Sequence, residues 1–174
     1  MRKRITSLLL TLVMLLSLVP AMGVTARAAD TWTTVNTYDE LKAALSTQNP
    51  SDNIKLGCDI DTGELNSGVG ILESLEVKGR KQLDLNGHTL RMYSAKTAMS
   101  DMITIKRGDL TVLDSSSGQK GTILGSTYND SCYLFDIQYG KLTLNSGTLK
   151  VDAGSLKTET KWTRVIYCYV GGTV

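Results

Sequence analysis

The chain has 174 residues, with 19 Lys+Arg against 17 Asp+Glu, 16 Gly, 2 Pro and 3 Cys. Its formal charge of +2 comes from its first residues: Arg2, Lys3, Arg4 and Arg27 fall within 1–29 with no acid among them, and the remainder carries 15 basic against 17 acidic side chains. An acidic remainder excludes a general nucleic-acid binder, and its length suits one domain.

Residues 1–29 read as a secretory signal peptide. "MRKR" is a basic n-region, "SLLLTLVMLLSLVPAMGV" an apolar h-region, and "ARA" before Ala29 supplies the small residues of a cleavage site. A membrane anchor is the alternative. The small, polar flank favours cleavage, so membrane contact is expected only through this segment before its removal. The mature chain is expected outside the cell, secreted or held at the cell surface.

Residues 30–50 are expected to cap the domain. Thr37 followed by Glu40 fits a capping box, and Leu41, Ala44 and Leu45 form one apolar stripe at helical spacing. Pro50 bars continuation. A helix this short needs a surface to cover.

Residues 51–174 hold short alternating runs: "NIKLGCDI" (53–60), "LESLEVKGRKQLDLNG" (72–87), "MITIKRGDLTVLDSSSG" (102–118), "LFDIQYGKLTLNSG" (134–147) and "VIYCYVGGTV" (165–174). Ile105-x-x-Gly108-x-Leu110-x-Val112 superposes on Ile137-x-x-Gly140-x-Leu142-x-Leu144 and on Tyr169-x-x-Gly172-x-Val174, in steps of 32 residues, while Leu56, Leu83 and Leu110 follow in steps of 27. A strand-only unit repeating at this length buries its apolar face by stacking, which predicts an all-β, parallel β-helix. An antiparallel sandwich could use "NG" at 86–87 as a hairpin turn, but it gives no reason for a fixed offset. In the β-helix, Leu83, Leu110 and Leu142 are expected to stack inward on successive rungs. "LDLNGHTL" (83–90) and "LTLNSGTL" (142–149) are then one corner written twice. Leu83, Leu85, Leu142 and Leu144 point inward, and Asn86 and Asn145 sit at left-handed bends. "DSSSGQKG" (114–121) predicts a longer, protruding corner. The rungs are expected to be incomplete at the C-terminus, because a burst begins at Val174. Its open parallel edge would favour edge-to-edge self-association.

"LDLNGHTL", the Gly-x-Leu-Thr-Leu strands and the capping "YDELKAAL" resemble the secreted, pectate-lyase-like right-handed parallel β-helix proteins of bacterial cell surfaces, over about 30–174. The resemblance implies the architecture. It implies adhesin-like or carbohydrate-associated roles as well as lyases and hydrolases, and the fold does not choose among them.

Rows of side chains are the candidate sites of such a fold. Arg80, Arg107 and Tyr139 each lie three positions before an inward Leu, and as a stripe they could grip an anionic or stacked sugar. A solvated edge is the plainer reading. "RGD" (107–109) reads as structural: Gly108 fills the repeat's Gly position and Asp109 is expected to face Lys141. Asp59, Asp61 and Glu64 offer hard oxygens for Ca²⁺, though their spacing is no EF-hand and a solvated turn accounts for them equally.

No catalytic residue is assigned. Asp84 is expected to point outward, with Thr111 and Thr143 as its equivalents, so no row of carboxylates forms; His88 has Gly147 as its equivalent and lacks an orienting partner. Cys58, Cys132 and Cys168 are odd in number and read as space-filling thiols. The residues favour a non-catalytic extracellular module with a polysaccharide or surface glycan as partner. A polysaccharide lyase or glycoside hydrolase fragment and a structural stalk are the alternatives.

Overall fold

The computed structural model describes residues 31–46, 52–63, 73–94, 100–127, 132–152, 163–169 and 171–174. The signal segment and Glu64 lie outside these residues. The compact unit is Trp32–Val174.

It opens with β1 (Trp32–Val35) and the helix α1 (Tyr38–Ser46). The expected cap forms: Glu40 N donates to Thr37 Oγ1 at 3.2 Å, and Glu40 Oε2 accepts from Asn36 N at 2.7 Å. The return bond goes to Asn36, one residue ahead of the usual capping-box donor. Leu41, Ala44 and Leu45 are buried, so the helix lays its predicted stripe on the first rung.

Then only strands follow: β2 (Asn53–Leu56), β3 (Ile60–Asp61), β4 (Leu75–Val77), β5 (Arg80–Asp84), β6 (Thr89–Ser94), β7 (Ser100–Lys106), β8 (Asp109–Leu113), β9 (Thr122–Thr127), β10 (Cys132–Gln138), β11 (Lys141–Leu144), β12 (Thr148–Asp152) and β13 (Thr163–Cys168). Each turn of the chain gives one strand to each of three sheets, ordered β1-β2-β5-β8-β11, β4-β7-β10-β13 and β3-β6-β9-β12. Every strand pairing is parallel. This is a right-handed parallel β-helix with three sheets around one core.

The register bears out one expected stack and corrects another. Leu110 pairs with Leu142 as expected. Leu83 pairs with Val112 and Ile54, two places from the expected partners, and Lys81 faces Leu110. The cause is the corner ahead of β5. Two residues, Lys78 and Gly79, join the paired positions Val77 and Arg80, where Lys106, Arg107 and Gly108 join Ile105 and Asp109. The missing residue raises the offset between paired residues from 28 in the second sheet to 29 in the first, where the apolar repeat suggested 27. A slip of two keeps the inward face, so Leu83, Leu110 and Leu142 are all buried.

The corner between the second and first sheets explains the recurrent glycines. A Cβ on Gly140 would lie 2.5 Å from Gly108 O, and one on Gly172 would lie 2.7 Å from Ile137 O. Rungs stack too closely there for any side chain. Just before these glycines, Arg107 (φ 58°) and Tyr139 (φ 55°) are left-handed, as are Gly79 (φ 74°) and Gly171 (φ 78°) in their corners. At the opposite corner Asn86 is left-handed as expected (φ 51°), but Asn145 is not, and Gly147 takes that conformation instead (φ 92°). Leu144, expected inward, is 43% exposed, because β11 is the last strand of its sheet among the described residues.

Candidate functional site

The outer face of the second sheet carries the one concentration of chemistry that the alternating pattern hides. Along β7, Met102 and Ile103 are consecutive core residues; along β10, Leu134 and Phe135 are too. Two inward residues in a row bend each strand. The bend brings Asp101 onto the same outer face as Thr104, and Tyr133 onto the same face as Asp136. The resulting rows run Asp101, Tyr133, Arg164 and Thr104, Asp136, Tyr167 across β7, β10 and β13.

Asp101, Tyr133, Asp136, Gln138, Tyr167 and Tyr169 line a cleft of about 280 Å³ on this face. Tyr133 and Tyr167 belong to different rows, yet their rings stack with centroids 4.6 Å apart and planes 9° from parallel. Arg164 Cζ lies 5.8 Å from the Tyr167 centroid, within cation–π range. Tyr169 is 54% exposed and offers a free ring.

Asp136 is 3% exposed. Its Oδ2 accepts from Gln138 Nε2 at 2.5 Å, and a side-chain hydrogen bond joins it to the neighbouring Asp101 carboxyl. Beside it, burial first and the negative charge of Asp136 second hold the Asp101 carboxyl above the usual carboxylate range, against the opposing charge of Lys106. Ser74 Oγ donates to the Asp101 carbonyl, tying β7 to the residue before β4.

Phenol rings, an amide and a buried acceptor in one concavity suit the apolar face and the hydroxyls of a sugar. Asp101 and Asp136, at unequal offsets in the repeat, become neighbours through the bend.

The sequence-derived candidates fall elsewhere. Arg107 and Tyr139 occupy equivalent corners on successive rungs, but Arg80 does not join them. It pairs in register with Asp109, its Nε 3.8 Å from Asp109 Oδ2, because the shorter corner puts Gly79 in the left-handed place. Asp109 also faces Lys141 as expected, which leaves the Arg-Gly-Asp tripeptide as corner and ladder. Asp59 Oδ1 accepts from Thr89 N at 2.8 Å, and Asp61 Oδ1 accepts from Gly63 N at 3.1 Å while its Oδ2 lies 3.7 Å from Arg91 Nε. Both carboxylates thus serve the neighbouring rung or turn. No group of three His, Cys, Asp or Glu side chains able to hold a metal occurs among the described residues.

Asp84 is buried at 2% exposure. Its Oδ1 accepts from Asn86 N and Ser115 N at 2.9 Å each, and Lys55 Nζ is 3.5 Å from Oδ2. It is a structural anchor for the corner and not the outward carboxylate expected. His88 has a neighbour after all, Asp59 Oδ1 at 3.3 Å from Nδ1, one rung away. Cys58 Sγ donates to Asn36 O at 3.3 Å and Cys168 is exposed; both are free thiols.

The family described as "Putative pectate lyase-like adhesive domain" matches residues 32–151. No curated protein and no solved structure matches the chain. The matched span runs from the first strand of the cap through β12 and includes Asp101, Tyr133, Asp136 and Gln138. The chain belongs to the pectate lyase-like adhesive domain family.

Proposed function

We propose that this module is a non-catalytic adhesin-type β-helix domain that acts outside the cell and holds a polysaccharide or surface glycan on the outer face of its second sheet. The observation that carries the reading is the Tyr133–Tyr167 stack at the wall of the cleft. Packed tyrosines present a rigid, amphipathic surface at small entropic cost. A stalk has no use for such a surface beside a buried carboxyl.

The test is binding of the protein to a panel of soluble polysaccharides. Tyr133→Ala/Tyr167→Ala is expected to weaken the bound glycan by about tenfold or more, equivalent to at least ~1.4 kcal/mol, with an unchanged far-UV spectrum. Equal binding by the double variant refutes this placement of the site.

The Asp101–Asp136 neighbourhood favours a second reading, slow hydrolysis of the held glycan with Asp101 as the proton donor. Release of reducing ends that Asp101→Asn abolishes would establish it. Unchanged chain length after prolonged incubation would exclude it.

A further inference from the structure

We infer that Asp101 and Asp136 make this cleft selective for an uncharged sugar and close it to uronate polymers. The inference rests on the reading of the cleft as a glycan site and adds the chemical class of its ligand.

Asp136 is 97% withdrawn from solvent, and its carboxyl is held by Gln138 Nε2 and the Asp101 carboxyl, with no cation among the residues that line the cleft. A buried carboxylate with no cation beside it is stabilised by any further hydrogen-bond donor that a ligand brings. A sugar hydroxyl supplies one. A uronate carboxylate supplies none and adds a second negative charge beside the first. Like-charge juxtaposition in a desolvated site is unfavourable and acts as a repulsive filter.

The cationic groups nearby do not reverse this. None of the residues that line the cleft is Lys or Arg. Lys106 is exposed, and its charge acts on Asp101 from outside the lining. Arg164 is exposed as well and lies over the Tyr167 ring. A Ca²⁺ ion could in principle bridge a uronate to the acids. Such a bridge needs several hard ligands, and no group of three able to hold a metal occurs among the described residues.

The experiment is calorimetric titration of the protein with neutral glucan, mannan and galactan oligosaccharides and with polygalacturonate, in EDTA and with added Ca²⁺. At least one neutral glycan is expected to bind, and polygalacturonate is expected not to bind in either condition. Asp136→Asn should weaken the neutral glycan about tenfold or more, and Asp101→Asn/Asp136→Asn should gain affinity for polygalacturonate. Asp101→Lys, at the half-buried member of the pair, should also admit polygalacturonate, and it serves if the Asp136 variants fail to fold. Wild-type binding of polygalacturonate as tight as that of the neutral glycan, with or without Ca²⁺, overturns the inference. So does a neutral affinity that Asp136→Asn leaves unchanged. Loss of the selectivity alone, with binding that still depends on Tyr133 and Tyr167, leaves the glycan site standing. Absence of any glycan binding, or binding indifferent to those tyrosines, overturns the site and the inference together.

Discussion

Lys81 Nζ lies 3.2 Å from Asp52 Oδ1, yet the Lys81 side chain is 2% exposed and its position is paired with Leu110 in the inner row of the first sheet. The stem fills a place that Leu110 and Leu142 fill on later rungs, and the ammonium escapes toward an Asp52 that is 66% exposed. Two functions share one side chain: packing along the methylenes and a charge pair at the open end. Buried ion pairs return little net stability over apolar residues of similar size. Lys81→Leu should therefore leave the denaturation midpoint unchanged or raise stability by about 1 kcal/mol. Lys81→Ala should lower it by about 2–3 kcal/mol through the cavity alone. A large loss in Lys81→Leu would show that the pair, and not the stem, supports the rung.

Asp114 ties the longest corner together. It is 4% exposed, and it accepts from Gly87 N at 2.8 Å, Ser116 N at 3.0 Å and Gly121 N at 2.5 Å. Burial pushes its carboxyl up, but the hydrogen bonds from Ser116, Gly121 and Gly87 outweigh burial and hold it below the usual range. Asp84 follows the same logic: burial is outweighed by Ser115, Asn86 and the charge of Lys55. A depressed carboxyl binds fewer protons in the folded state than in the unfolded one, so its stabilisation is full above the unfolded pKa near ~4 and fades as pH falls through the folded value. Asp114→Asn is expected to cost about 2–3 kcal/mol at pH 7. The gap to wild type should narrow as the pH falls below the unfolded pKa and through the lower folded value. A gap that stays constant with pH would mean that the loss is steric.

These two acids show what the sequence could and could not convey. The period fixed by Gly108, Gly140 and Gly172 made the β-helix and its inward rows legible, because backbone crowding at that corner leaves its mark as a residue type. The helix cap was legible for the same reason, since Thr37 and Glu40 act locally. Asp84 and His88 were misjudged because their partners come from neighbouring rungs and from irregular corners, where the offset changes by a residue or more. The cleft was hidden more deeply. Asp101, Tyr133, Asp136 and Tyr167 share a face only because Met102 with Ile103, and Leu134 with Phe135, break the alternation. The paired doublets "MI" and "LF" at the 32-residue offset were the available signal.

The glycine column has a sharp energetic test. Gly140 needs no special backbone angle, but a Cβ there would meet Gly108 O at 2.5 Å and Ile105 Cγ2 at 2.7 Å. The first contact is with backbone, so relief requires the rungs to separate. Gly140→Ala is expected to destabilise by about 2–4 kcal/mol and to raise amide exchange in β8 and β11 together. A change below about 0.5 kcal/mol would show that the stack accommodates a methyl group.

The neighbouring residue gives the opposite sign. Arg107 is left-handed at φ 58° and exposed. A non-glycine residue pays roughly 1 kcal/mol for that conformation. Arg107→Gly should stabilise by a few tenths to about 1 kcal/mol, less the entropy that glycine gains in the unfolded chain. The same substitution destroys the Arg-Gly-Asp tripeptide. If cell attachment depended on that tripeptide, adhesion would fall with it; the expected result is unchanged adhesion and an equal or higher melting temperature.

Asp101 offers the counterpart of Asp114, with the sign reversed. Burial first, and the charge of Asp136 second, lift its carboxyl above the usual range. The folded state then binds more protons than the unfolded one, and stability falls as pH rises from the unfolded pKa to the folded value. Above both values the penalty is constant. Asp101→Asn removes it while leaving the carbonyl that accepts from Ser74 Oγ. The variant should therefore be more stable than wild type at pH 7, and the difference should vanish once the medium is acidic enough to protonate Asp101 in both states. Measuring the variant against wild type at each pH cancels the opposite contributions of Asp84 and Asp114. An Asp101→Asn protein that is less stable at pH 7 would mean that the carboxylate makes a net favourable contact in the folded state, and the account of a strained acid pair in the cleft would fail.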